Sequence, residues 1–330
     1  EVRRKLNEAT KDIDDGVYAN SGSMAVSAWM DIWLKEYTGN LKDTTLRSYT
    51  DNTELHIKPG LGAVKIDKLT PTMIQRFYNK TLESGRRFAE GRKVDATTDR
   101  SLSPKTIKNI HTVLHKALKQ ATKPPGSLIK YNPSDAVELP KIVQKEKAVL
   151  NEDQISALLH ELEGNWHYPM FYLDLFCGLR RGELLGLQWK NVDFERRTIS
   201  VVGQIQRERK KGGQLRIVPL KNNKTRTIYP PTSVFEVLEE HRALQDELKA
   251  TVLSKGEEWK DTGSVFTNDH GGWLEGSAVY RCLIKHLKNI GIDDVNLHGL
   301  RHTYATASIS EGVDVKTLQE SLGHHDPGFT

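Results

Sequence analysis

In the stretch LHGLRHTY, His298 and Arg301 stand three apart and His298 and His302 four apart. At helical spacing such residues share one face, so His298 and Arg301 can aim at one ligand. Histidines at i and i+4 also have the spacing of helical metal ligands, and His324 is a third histidine nearby in sequence. Against zinc, position 299 is Gly where the zinc-protease helix carries its general base, and Arg301 repels a dication. Three more side chains carry chemistry of interest. Arg180 follows Gly178 at a helix junction in GLRRGELLGL, Lys221 stands at the turn between LRIVPL and RTIYPP, and His324 follows Leu322-Gly323. Taken singly, each has an ordinary structural explanation: a capping arginine, a solvated hairpin lysine, a helix-end histidine.

The elements that must position these residues belong to a chain of 330 residues, long enough for two domains. Hydrophobic residues make up 37% and charged residues 28%, enough to build cores, and no run approaches the ~18 apolar residues of a membrane span. The first residues, EVRRKLNEATKDIDDG, are polar and lack an apolar signal core, so the expected location is cytoplasmic. They also lack an initiator Met, which reads as a fragment. Cys177 and Cys282 cannot make a disulfide framework or a Cys-rich zinc site. The net charge of +5 is unevenly spread: residues 1–150 carry 26 Lys/Arg against 18 Asp/Glu, and 151–330 carry 22 against 25. Within the second half, 201–230 holds eight basic residues and one acidic. Two basic regions in one chain point to a polyanion partner.

Residues 1–22 read as a charged linker, or the end of an arm-binding domain that precedes residue 1. MAVSAWMDIWLKEYTG reads as a helix that Gly39 can end. TPTMIQRFYNKTLES has Thr70 as N-cap, Pro71 in the first turn and Met73, Ile74, Phe77, Tyr78 and Leu82 as an apolar face. SPKTIKNIHTVLHKALKQAT repeats the design from Ser103 and Pro104, and its other face shows Lys105, Lys108, Lys116 and Lys119 for phosphates. Between them lies a long basic loop with Arg86 and Arg87. A helical domain over 23–140 is expected, then a linker over 141–150 rich in Lys, then a second domain over 151–330. That domain opens on Asn151 with Gln154 three residues on, a capping pattern. Its period shifts toward two in RRTISVVGQIQ, LRIVPL and RTIYPP, read as short antiparallel strands, before helices resume at SVFEVLEEHRALQDELK, SAVYRCLIKHLKNIG and HGLRHTYATASISEG. The fold class is mainly α with a small antiparallel β-sheet. No helix stop is read at the final SLGHHDPGFT.

The order Arg, Lys, His-x-x-Arg, His is more specific than its parts, and it resembles the tyrosine recombinase (phage integrase) family, most of all the integrases of conjugative transposons. GLRRGELLGLQW looks like the family's first arginine box, LKNNKTRTIYP its strand-turn lysine, HGLRHTYAT its His-x-x-Arg box and SLGHHDP its last histidine box. The resemblance implies a two-domain DNA clamp, a helical core-binding domain plus a mixed α+β catalytic domain, with Arg180, Lys221, His298, Arg301 and His324 catalytic and neither metal nor cofactor. It implies DNA cleavage through a 3′-phosphotyrosine, with the arginines on the non-bridging oxygens and Lys221 protonating the leaving 5′ oxygen. The tyrosine is expected about ten residues after His324, past Thr330, which makes this stretch inactive by itself. Implied partners are double-stranded attachment-site DNA, three more copies in a tetramer, and an excisionase or DNA-bending accessory protein, all in the bacterial nucleoid. DNA contacts are expected from the basic faces around 84–119 and 207–226, the latter with Arg207, Arg209, Lys210, Lys211, Lys224 and Arg226. Alternatives are a type IB topoisomerase, whose pattern generally has Lys in place of His298, and a non-catalytic DNA-binding module.

Overall fold

The computed structural model describes residues 24–86, 98–123, 127–143, 148–208, 213–220 and 224–323. The chain divides into two compact units between Gln144 and Lys145, each with its own core. The first is helical: α1 (Val26–Glu36), α2 (Asp43–Asn52), α3 (Lys58–Leu61), α4 (Pro71–Ser84) and α5 (Pro104–Ala121). The caps form as the spacing predicts. Thr70 Oγ1 accepts from the Met73 N–H at 3.3 Å and Ser103 Oγ from the Thr106 N–H at 3.2 Å. Behind the caps, Ile74, Phe77 and Tyr78 of α4 and Ile107, Ile110, Leu114 and Leu118 of α5 are buried. Trp29 and Trp33 of α1 close the same core, and Trp29 Nε1 donates to the Ala117 carbonyl at 3.0 Å. Residues 43–61, where the sequence shows no clear period, are helical too. The stretch is rich in Thr, and it widens into a π turn at Thr53–Ile57 ahead of Pro59, which has no N–H for the ladder.

The second unit carries α6 (Glu152–Glu161), α7 (Tyr168–Cys177), α8 (Arg181–Leu185), strands β1 (Val192–Asp193), β2 (Thr198–Val201), β3 (Gly203–Arg207), β4 (Leu215–Pro219) and β5 (Arg226–Ile228), then α9 (Thr232–Ser254), α10 (Gly276–Asn289), α11 (Leu297–Ser310) and α12 (Val315–Leu322). Asn151 and Gln154 form the expected reciprocal capping box. All strand pairs are antiparallel, in two sheets: β1-β2-β5 and β3-β4. This corrects the reading of LRIVPL and RTIYPP as partners across a turn at Lys221. β4 pairs with β3, with Ile205 opposite Ile217, while β5 pairs with β2, with Ile199 opposite Ile228. Alternation marks a strand but does not choose its neighbour. A second correction lies at the chain's last described turn: Gly323 at φ 66° is a left-handed C-cap, so α12 has a regular stop. Among the described residues, no helix is long and apolar enough to cross a membrane.

Candidate active site: three guanidiniums on one helix end

α7 is apolar on nearly every side and buries Met170, Phe171, Leu173 and Leu175. It ends at Gly178, whose φ of 57° and close neighbour both require glycine: a Cβ there would lie 2.4 Å from the Tyr304 ring. This turn throws Leu179 into the core and leaves Arg180 extended just ahead of α8. One turn into α8, Glu183 folds back. Its Oε2 accepts the Arg180 backbone N–H at 3.1 Å and its Oε1 accepts Arg180 Nη1 at 2.8 Å. The same carboxylate accepts Arg226 Nη2, from β5, at 2.7 Å on Oε2.

The carbonyls at the end of α12 gather the arginines. Arg226 Nε donates to Ser321 O at 2.6 Å, Arg301 Nη2 to Leu322 O at 2.7 Å, and Arg180 Nη2 to Gly323 O at 2.7 Å. Three consecutive carbonyls thus hold three guanidiniums from three different elements, at a helix end whose partial charge is negative. Arg301 also donates to Gly178 O at 2.6 Å, tying α11 to the turn that sets Arg180. Arg301 is only 2% exposed, whereas the Arg180 side chain is 41% exposed.

Electrostatics follow from this crowding. Burial, then the charges of Arg180 and Arg226, push Arg301 down to about 10, still protonated at neutral pH. Burial pushes the Glu183 carboxyl up, but Arg226 and Arg180 more than offset it and hold it below the ordinary carboxylate value. Asp174, on α7, is fully buried, and burial raises its carboxyl well above the usual range despite Arg301 nearby. Among the described residues, three guanidiniums stand against one ionised carboxylate, a net positive cluster. Arg180 and Arg301 each have five N–H donors and use two in the bonds above, so donors remain for the oxygens of an anion.

The other expected residues fall into three groups. His298 is exposed on the first turn of α11, edge-on to His302 with ring centroids 4.5 Å apart. Gly299 beside it is buried, and a Cβ would lie 2.9 Å from Val295 Cγ1, so the zinc-protease glutamate has no room there. Lys221, His324, Arg87, Arg209, Lys210 and Lys211 lie outside the described residues. Lys105, Lys108 and Lys119 are exposed on α5, and Lys224 is exposed just before β5. Lys116 on the same helix donates to Tyr49 Oη at 2.6 Å, Arg86 pairs with Asp99, and Arg207 is held by Glu275 and Gly213 O. Arg226, expected at a DNA-facing surface, is instead 10% exposed and fastened inside. The sequence reading missed Glu183, although Arg180-x-x-Glu183 is an i,i+3 charge pair at a helix start and could have flagged it.

The family model described as "Phage integrase family" matches residues 148–330, and "Phage integrase, N-terminal SAM-like domain" matches 25–82. A "Tyrosine recombinase XerC-like" of Caldanaerobacter subterraneus subsp. tengcongensis is 28% identical across 100% of this chain and 84% of its own length. An "Integrase" of Saccharopolyspora erythraea is 22% identical over 98% and 82%. Among solved structures, the Tn1549 transposon integrase in complex with transposon right end DNA has a TM-score of 0.72 at 22% identity, covering 93% of each chain. A lambda integrase tetramer bound to a Holliday junction has a TM-score of 0.64 at 18%, covering 98% of this chain and 87% of that one. At these identities the structural likeness is one of fold.

Proposed function

Since the chain belongs to the phage integrase family, we propose that it is a site-specific DNA recombinase that excises and integrates a mobile element by cutting and rejoining DNA strands through a 3′-phosphotyrosine. The observation that carries this reading is the seating of Arg180 and Arg301 on adjacent carbonyls, Gly323 and Leu322. Two planar guanidiniums side by side suit the two non-bridging oxygens of a phosphodiester, where charge grows during displacement.

In this reading a tyrosine oxygen attacks the phosphorus as its proton passes to a base, with His324 and His298 as the candidates to take it or to donate to the non-bridging oxygens. The bond from phosphorus to the 5′ oxygen breaks, and Lys221 gives that oxygen a proton. The phosphotyrosine keeps the bond energy, so a second 5′ hydroxyl can reverse the step and exchange strands without ATP. Arg180 and Arg301 hold the phosphate throughout, and the chemistry calls for no metal. The nucleophile is the tyrosine expected after His324. Tyr304 serves a different purpose, since its ring packs on Gly178 and joins Ala305, Leu318 and Leu322 in a small core.

The helical unit supplies the basic face of α5 for the duplex, and the second unit supplies the reacting site. Working as a tetramer on paired attachment sites, in the cytoplasm with the nucleoid as its substrate and an accessory protein bending the DNA, completes the proposal. The test is a nicked attachment-site substrate incubated with the full-length protein and run on a denaturing gel. A tyrosine-linked protein–DNA band that persists with chelator supports the reading, and absence of the band removes it. A topoisomerase would relax supercoiled plasmid without regard to sequence, which the same preparation tests directly.

A further inference from the structure

Arg226 was expected on a DNA-facing surface, yet its side chain is 10% exposed and both its hydrogen bonds point inward. We propose that Arg226 is a positioning residue for Arg180, keeping that arginine's grip on the shared Glu183 carboxylate to a single side-chain hydrogen bond so that its remaining donors stay turned to the scissile phosphate. The inference rests on the recombinase reading above.

Glu183 is 3% exposed, and both of its oxygens are occupied. Oε1 takes Arg180 Nη1 at 2.8 Å, while Oε2 takes Arg226 Nη2 at 2.7 Å and the Arg180 backbone N–H at 3.1 Å. A buried carboxylate left with half its charged partners draws the nearest cation fully onto itself, and a guanidinium meets a carboxylate best through two parallel hydrogen bonds. Without Arg226, the cation within reach is Arg180. A two-pronged grip on Glu183 would take Arg180 Nη2 away from Gly323 O and turn the fork from the phosphate position beside Arg301.

The second route runs through the end of α12. Arg226 Nε holds Ser321 O at 2.6 Å, and its Nη1 lies 3.1 Å from where a Cβ on Gly323 would be. Arg226 therefore packs on the residue whose carbonyl seats Arg180. The two routes converge on one outcome, an arginine aimed at substrate, and Arg226 itself never touches it.

The sharpest test uses a change of sign. Single-turnover strand cleavage would be measured for the full-length parent, R226Q, E183Q/R226Q, R180K and R180K/R226Q, with DNA binding and thermal melting of each alongside. The expected result is that R226Q binds as the parent does, because the proposal gives Arg226 no bond to phosphate and leaves Arg180, Arg301 and the exposed lysines of α5 in place. It should cleave roughly 10- to 100-fold more slowly, the scale of loss for a misaligned catalytic group. Removing the carboxylate as well should recover part of that loss, so E183Q/R226Q cleaves faster than R226Q. R180K/R226Q should be no slower than R180K alone, as expected when two residues act through one. A residue that only stabilises the fold would give the opposite, with the second core substitution compounding the first. If R226Q does not fold, R226K carries the same comparisons, since its ammonium reaches Glu183 but cannot also hold Ser321 O. Cleavage by R226Q (or R226K) at the parent's rate, no recovery in E183Q/R226Q, or losses that multiply with R180K would overturn the proposal. A parent that forms no adduct would overturn the recombinase reading on which it rests.

Discussion

Arg180 and Arg301 rest on neighbouring carbonyls, Gly323 O and Leu322 O, each at 2.7 Å. Arg301 uses its second nitrogen on Gly178 O at 2.6 Å, two residues before Arg180. The two arginines are therefore placed by the same two pieces of backbone, the turn after α7 and the end of α12. Their spacing is a property of main chain, which makes it stiff.

That placement makes the two arginines unequal toward stability. Arg301→Lys removes a buried fork and leaves at least one of two carbonyls without its donor, so the protein should lose about 2–4 kcal/mol and melt at lower temperature. Arg180→Lys, at a side chain 41% exposed, should melt within a degree or two of the parent. Thermal denaturation of the two variants side by side checks this, and equal losses would show that the burial difference does not matter.

Gly178 should tolerate no side chain. Alanine there meets both a left-handed backbone and the Tyr304 ring, at a combined cost of about 2–4 kcal/mol. Because Gly178 O also holds Arg301, cleavage should fall with stability. Replacing Tyr304 by Leu in the same chain should return part of the stability by relieving the clash, and urea melts of the single and double variants measure it.

The two buried carboxyls predict opposite pH behaviour. Glu183 is held below its ordinary value in the fold, so it contributes stability above its unfolded pKa of about 4.3, and that contribution is lost as pH falls through the lower folded value. Glu183→Gln should thus be destabilised at neutral pH, with the gap to the parent closing in acid. Asp174 is raised in the fold, so the native state holds a proton that the unfolded state releases above about pH 3.9, and its cost grows as pH rises from there toward its folded value. Asp174→Asn should raise stability at pH 7 and lose that advantage below about pH 4. Denaturant midpoints from pH 3 to 8 decide both, and an Asp174→Asn protein weaker than the parent at pH 7 would contradict the second.

Much of this was legible in the sequence. Caps at Thr70, Ser103 and Asn151, with apolar residues at helical spacing behind them, located α4, α5 and α6, and alternation located the strands of the second unit. The pattern did not show the helix over 43–61, whose Thr-rich turns and Pro59 break the usual signal, nor which strands pair, because pairing is decided by a core that no local window contains. At the cluster, Arg180 and Arg301 stood out by type and spacing, while Glu183 showed only an i,i+3 charge pair with Arg180 and Asp174 looks like any carboxyl in a helical stretch. Arg226 was misjudged for the same reason. A basic residue in a basic run reads as surface until a buried carboxylate is found opposite it.

DNA affinity should come mainly from the exposed lysines of α5. Binding should weaken with salt, log K falling by roughly 0.9 for each phosphate neutralised. Lys105→Ala, Lys108→Ala and Lys119→Ala, on the exposed face of α5, should each flatten that slope by about one unit, whereas Arg226→Gln should leave it unchanged. Titrations across a salt series test it. A slope that flattens for Arg226→Gln would return that residue to the DNA surface.

The most direct test of the central claim is the single-turnover rate at which the full-length protein cleaves attachment-site DNA, compared with its Arg180→Lys and Arg301→Lys variants at saturating DNA. Both variants keep the positive charge and lose the planar fork. If these guanidiniums hold the non-bridging oxygens in the transition state, both variants should occupy the DNA as the parent does and cleave it about 100-fold or more slowly. Either variant cleaving at the parent's rate would mean that its arginine only braces the end of α12, and the site described here would not be where the strand is cut.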